Sequence, residues 1–349
     1  MAAPNVRETP ERQAFYRKIE GQSISALWTV LGELVTPEPK SDCRPFAWKF
    51  RAIRDAMMEA GGLVTAKEAE RRVLVLENPG LKGQSRVTTS LFAGIQMVLP
   101  GEVAPAHRHS QSALRFVLEG EGAYTAVDGE RTIMREGDFV ITPSLTWHDH
   151  GNDSDRPMFW LDGLDIPLVQ FLDASFADYL NADEQPISRP LGDSPARYGN
   201  NLLPVDHKRR GTTSPIFNYP YDRTRASLEA LNRSGECDAC HGFKMRYVNP
   251  ETGEHAMPTI GAFIQLLPKG FATSRYRATD AAVFAAIEGR GRSKVGDRTV
   301  LEWGPRDIFV VPSWHTVVHE ADEEAVLFSF SDRPVQEKLG LFREDRFNA

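Results

Sequence analysis

Cysteine is scarce in this chain: three in 349 residues, Cys43, Cys237 and Cys240. That is too few for a disulfide-stapled scaffold of this length, so a reducing compartment, the cytoplasm, is the expectation. No apolar run approaches the roughly 18 residues that a membrane span needs. The opening MAAPNVRETPERQ has no apolar segment of the secretory-signal kind. Charge of one sign is not concentrated anywhere: 41 Lys and Arg face 48 Asp and Glu, a net of -7, with the signs interspersed. Without a basic arm or stripe, nucleic acid is not the expected partner. What the chain does have is length enough for two domains, and 27 glycines and 23 prolines that cut it into short apolar runs.

Residues 1–70 read as a helical segment. Thr9-Pro10 is a helix start with proline at the first helical position. Ile24, Leu27, Trp28, Leu31 and Leu34 recur at helical spacing, and Phe46, Phe50, Ile53 and Met57 repeat the pattern up to Gly61-Gly62, which read as a stop. From about residue 72 short β-rich runs follow one another at turn-punctuated spacing, the pattern of a sandwich or barrel. A first β-domain is expected over 71–175, a polar connection over 176–255 with one short helix at RTRASLEALNRSG, and a second β-domain over 256–349.

The second β-block repeats the first. Gly101 answers to Gly270, Glu119-Gly120 to Glu288-Gly289, Gly122 to Gly291, Asp138 to Asp307, Pro143-Ser144 to Pro312-Ser313 and His150 to His319, each pair separated by 169 positions. Between the blocks, CDACHG has the C-x-x-C-H pattern of haem attachment. Haem attachment needs export, zinc needs more ligands than His255 alone adds, and the expectation is a surface loop with two free thiols.

His107 and His109 lie one residue apart in a stretch that reads as strand, so both project from one face. Gly101 to His109 fits G-x5-H-x-H, and Gly137 to Asn152 fits G-x5-P-x4-H-x3-N, which adds His148. Together these resemble the two signature motifs of the cupin barrel, a jelly roll with a metal in its mouth. The expected fold is mainly β: two cupin (jelly-roll) barrels with an N-terminal helical segment. Three imidazoles hold one face of an ion and leave the other open. The glutamate that many cupins place after H-x-H is absent; Gln111, Ser112, Ala113 and Leu114 stand there. His150 faces the same interior, as a fourth ligand or as an acid or base beside the metal. In the second block the triad positions hold Tyr276, Ala278 and Val317, so that barrel is expected to be structural.

Three neutral ligands leave a dication its full charge, which suits an anionic chelating substrate such as a carboxylate with an ortho hydroxyl. Arg115, at an even offset from His109, is the cation expected to meet that carboxylate bidentately.

FAGIQMVLPGEVAPAHRHSQSALRFVLEGEGAYT and TPSLTWHDHGNDSDRPMFWLDGLDIPL, with ERRVLVLENPGL, RYVNPETG and FVVPSW, resemble the gentisate 1,2-dioxygenase family, which includes salicylate and 1-hydroxy-2-naphthoate dioxygenases. The resemblance covers most of the chain. It implies Fe(II) on His107, His109 and His148, a metal-free second barrel, a homotetramer, and cleavage of gentisate (2,5-dihydroxybenzoate) by O2 to maleylpyruvate. It also implies that Arg115 holds the substrate carboxylate, that His150 moves a proton, that Gln96 lines the pocket and that Asp162 lies near the 5-hydroxyl. Arg71 is a second candidate for the carboxylate, with Arg72 adjacent. Trp147 and Phe92 are pocket wall or core. Rival readings are a sister aromatic acid as substrate, a zinc hydrolase or isomerase, and a binding protein.

Overall fold

The computed structural model describes residues 8–209 and 211–347; the first seven residues of the N-terminal segment lie outside them. Residues up to Lys40 form one unit and Ser41 onward a second. In the first, the helix Pro10–Glu20 starts as the sequence suggests: the Thr9 hydroxyl accepts from the Arg12 amide and Pro10 takes the first position. The helix Leu27–Leu34 carries the apolar stripe, with Leu27, Trp28 and Leu34 exposed.

The second unit holds four antiparallel sheets, two for each repeat. In the first repeat, one sheet runs Asn218–Tyr219, Phe139–Thr142, Ala113–Glu119, Met158–Leu164, Phe92–Val98, Val73–Val75. The facing sheet runs Ala177–Tyr179, Val103–His109, His148–Asn152, Ala123–Val127, Glu130–Ile133. The second repeat follows strand for strand. Phe92–Val98, Ala113–Glu119, Phe139–Thr142 and His148–Asn152 have as counterparts Gly261–Leu267, Ala282–Glu288, Ile308–Val311 and Val317–Ala321.

Strands from outside the expected domain limits complete these sheets. Phe46–Trp48 pairs with Ile308–Val311 at an edge of the second repeat, and Phe243–Arg246 pairs with Gly261–Leu267. Asn218–Tyr219 pairs with Phe139 and Val140 of the first. The helix expected at RTRASLEALNRSG spans Tyr221–Ser234.

Three expectations are corrected. Phe46 is in a strand, and the helix that follows begins at Phe50. Gly61 and Gly62 do not stop that helix, which runs to Leu63. A Cβ on Gly61 would stand 2.8 Å from the Met97 terminal carbon, so glycine there lets helix lie close on strand. Cys240 is buried, and only Cys237 is an exposed thiol. His255 Nε2 lies 3.1 Å from Glu337.

One apolar core runs through both repeats: Phe116 and Phe139 of the first meet Phe328 of the second, Phe116 stacked at 4.0 Å. Polar ties flank it. Arg306 donates to the Leu118 carbonyl and to Glu136, and Asp165 accepts from the Ser112 amide and the Thr259 hydroxyl. No described helix is long and apolar enough to cross a membrane.

Candidate metal centre

Pro105 has no N–H to give to a ladder. Around it the pairing of Val103–His109 with His148–Asn152 shifts by one residue, from Ala104 opposite His150 to His107 opposite His148. This bulge sets His107 beside His148, and the two-residue period brings His109 to the same face. The ring centres lie 5.2 Å (His107–His109), 4.4 Å (His107–His148) and 4.9 Å (His109–His148) apart. One nitrogen from each lies within 4.8 Å of the others, and among the described residues these three form a group that could hold a metal.

The donor chemistry fits a dication. Nδ1 of His109 donates to the Gln111 carbonyl at 2.9 Å and Nδ1 of His148 to the Thr146 carbonyl at 2.9 Å, which leaves both Nε2 lone pairs free. Burial keeps the imidazoles neutral. It pushes His109 down to about 4 and His148 well below its ordinary range; His107 falls to about 2 through burial and then the Arg71 charge. His107 differs in one respect. Its Nδ1 lies 2.6 Å from Arg71 Nη2, always a donor, so Nδ1 is the acceptor here. Ligation by His107 Nε2 therefore requires Arg71 to release Nδ1.

The six-stranded sheet presents the other expected residues on one face. Arg115 sits opposite Asp162, and Gln96 opposite Trp160. Arg115 is buried; its Nη1 donates to the Thr142 hydroxyl at 2.6 Å, and its Nε lies 3.7 Å from Asp162 and has no hydrogen-bond partner. Asp162 accepts from the Trp160 indole at 3.0 Å, and burial pushes its carboxyl up to about 6 against the pull of Arg115. Gln96 is buried with its Nε2 unpartnered. His150 is fully buried, its Nδ1 2.9 Å from the Thr125 hydroxyl, its ring beside Trp160 and its Nε2 unpartnered.

Arg71 and Arg72 part company. Arg72 forks onto Glu102, an ion pair away from the histidines, whereas Arg71 reaches His107 and the Pro105 carbonyl. Burial and then the Arg115 charge push Arg71 down to about 9. Trp147 stacks under the Arg108 guanidinium, 4.9 Å from ring centre to carbon. Sequence reasoning did not single out Trp160, Thr125 or Thr142. The signal for Trp160 was available: it stands two residues before Asp162 on the same strand and so on the same face. Thr125 and Thr142 are cross-strand partners, and their contacts depend on sheet register that no local pattern carries.

Two guanidinium groups, one carboxyl and neutral imidazoles make a buried site with excess positive charge even before a metal is added. Unpartnered donors at Arg115 Nε and Gln96 Nε2 suit an anionic ligand rich in acceptors.

A cupin domain family matches residues 94–164. Gentisate 1,2-dioxygenase 1 of Aquipseudomonas alcaligenes is 62% identical over 338 residues, covering 97% of each chain. The 5-aminosalicylate 1,2-dioxygenase of a Comamonas species is 35% identical, covering 100% of this chain and 94% of the relative. Among solved structures, salicylate 1,2-dioxygenase from Pseudoaminobacter salicylatoxidans with gentisate superimposes at a TM-score of 0.93 and 35% identity, covering 100% of this chain and 97% of the other.

Proposed function

The chain belongs to the gentisate 1,2-dioxygenase family of ring-cleaving dioxygenases, and we propose from that membership that His107, His109 and His148 hold Fe(II) and that the substrate is gentisate. The product is then maleylpyruvate, with cleavage between the carboxyl-bearing carbon and its hydroxyl-bearing neighbour. The observation that carries the reading is the complete triad in a chain 62% identical to a named gentisate dioxygenase. With it go two proposals of wider scope: a homotetramer, implied by the family, and a cytoplasmic location, which agrees with three free cysteines.

Bound iron would supply the redox contact between an electron-rich ring and oxygen. The protein's own part is recognition and proton management. Arg115 receives the substrate carboxylate through its unpartnered Nε. Arg71 joins it as a second donor to the carboxylate, a stronger acceptor than an imidazole. Gln96 Nε2 donates to a substrate oxygen. His150 Nε2 meets the ortho hydroxyl or oxygen and carries a proton there. Asp162 accepts the proton of the 5-hydroxyl, which a gentisate ring has and a salicylate ring lacks.

Oxygen uptake by iron-loaded protein, with gentisate, salicylate and 1-hydroxy-2-naphthoate in parallel, tests this. Uptake fastest with gentisate, with the absorbance of a ring-opened keto acid, is expected. Faster uptake with either other acid would assign the sister substrate. No uptake from iron-loaded protein would remove the dioxygenase reading and return the site to a zinc enzyme or a binding protein.

A further inference from the structure

The second barrel keeps a small cavity where the first has its metal centre. Tyr276, Ala278 and Val317, which occupy the triad positions, line it, together with Lys244, Gln265 and His319. Part of the first barrel's pocket is retained. Gln265 answers to Gln96 and His319 to His150, and His319 Nδ1 lies 2.8 Å from the Ser293 hydroxyl as His150 lies by Thr125. One position is new. Opposite Gln96 the first barrel has Val73; opposite Gln265 the second has Lys244.

Two polar groups in this cavity keep hydrogen-bonding capacity unused. Gln265 is 1% exposed; its Nε2 donates to the His241 carbonyl at 2.7 Å, and its Oε1 has no hydrogen-bond partner. The Lys244 ammonium makes no hydrogen bond or ion pair among the described residues and lies 5.0 Å from the Phe263 ring centre. The acids around it are committed elsewhere. Asp280 accepts from Arg333 at 3.2 Å and from Ser331 at 2.6 Å, Glu344 from Tyr276 at 2.8 Å, and Asp238 from Arg346 at 2.6 Å. The imidazoles facing it offer no counter-charge: burial and the Lys244 charge hold His241 down to about 2 and His319 to about 3. Burial and Arg333 bring Lys244 itself down to about 8, so it is still mainly charged at pH 7. Lys244 is half-buried, so an anion entering from solvent meets a cation that no carboxylate has claimed.

We propose that the second barrel binds a small monovalent hydroxylated oxyanion, of which bicarbonate is the type. Its charged oxygens face the Lys244 ammonium and its hydroxyl donates to Gln265 Oε1. Size sets the class. The cavity has a volume of about 40 Å³, and one water needs about 10–15 Å³ on that measure, so three or four heavy atoms fit and an aromatic acid does not. The site is thus independent of the ring chemistry in the first barrel.

Thermal unfolding of the metal-loaded full chain, at fixed pH and ionic strength, with sodium bicarbonate against formate and benzoate, tests this. Saturating bicarbonate should raise Tm by about 2–4 °C, formate less, and benzoate at this site not at all. Lys244→Met should abolish the bicarbonate shift and leave gentisate-dependent oxygen uptake unchanged. If that variant does not fold, Gln265→Leu serves: calorimetric bicarbonate affinity should fall about tenfold for the lost hydrogen bond, with formate affinity kept. No bicarbonate response in the wild type, or an equal response in either variant, would overturn the proposal and leave water as the occupant.

Discussion

At the scale of single residues, the site rests on side chains whose polar atoms are left open. Arg115 Nε is the clearest: buried, charged and without a hydrogen-bond partner while Nη1 is held by Thr142. Arg115→Ala should therefore raise KM for gentisate by about 100-fold, the value of one or two charge-assisted hydrogen bonds, and leave iron content unchanged. Steady-state oxygen uptake with metal analysis checks both. Asp162 adds a pH signature. Burial places its folded-state pKa at about 6, above the ordinary carboxylate value of 3.8. As proton acceptor it acts when ionised, so kcat/KM should fall below about pH 6, and Asp162→Asn should lose that acid limb. Stability has the opposite sense: the neutral carboxyl is the form that burial favours, so its contribution is full below the ordinary pKa and is lost as pH rises through about 6. Denaturant midpoints across pH 4–7 for wild type and Asp162→Asn check this. At this scale the triad was legible because two short motifs fix it. Arg71 against Arg72 was not: the two are neighbours in sequence, and Glu102, which claims Arg72, is 30 positions away.

At the scale of elements, the strand His148–Asn152 carries two of the site's four imidazoles. It supplies His148 and His150, and its Gly151 lies under the Tyr124 ring, where a Cβ would come within 2.4 Å of the phenol carbons. Gly151→Ala should cost about 1–3 kcal/mol by overpacking and weaken metal retention by tilting the strand, read by chemical denaturation and by iron content after dialysis. The repeat was legible at this scale. Its shared turn residues keep one offset, and four strands keep it from end to end, whereas Thr125 answers to Ser293 at 168 positions. The helix–strand border around residue 46 was not. Phe46, Phe50, Ile53 and Met57 satisfy a helical period, but Phe46 is fixed by its partner Val310, more than 260 positions away. Gly61 misled for a related reason. In isolation glycine disfavours a helix, whereas here it admits the side chains of Met97 and Leu99.

For the molecule from Ser41 onward, the two barrels share one core, and the metal triad stands in the first of them. Phe328 stands at the junction, stacked on Phe116 and close to Phe139 and Tyr247. Phe328→Ala should destabilise by about 3–5 kcal/mol, and because the core is shared, the second unit should still unfold in a single transition. Calorimetry that resolved two transitions, with only the later barrel shifted, would contradict this. The division of labour follows from the same sequence repeat. The first barrel keeps three histidines and Arg115; the second replaces them with Tyr276, Ala278, Val317 and Phe284 and packs Phe284 flat on Phe309 at 4.8 Å. The presence of two like barrels was legible from the repeat; the ties of Arg306 and Asp165 across the junction were not.

The most direct measurement is gentisate-dependent oxygen uptake titrated with Fe(II) under anaerobic loading, on wild type and His148→Ala side by side. Uptake that rises in proportion to iron and saturates at one iron per chain, with no uptake and no retained iron in His148→Ala, is the result expected from a single centre on the three histidines. An iron-loaded wild type without uptake, or a His148→Ala chain that holds iron and turns gentisate over, would contradict it.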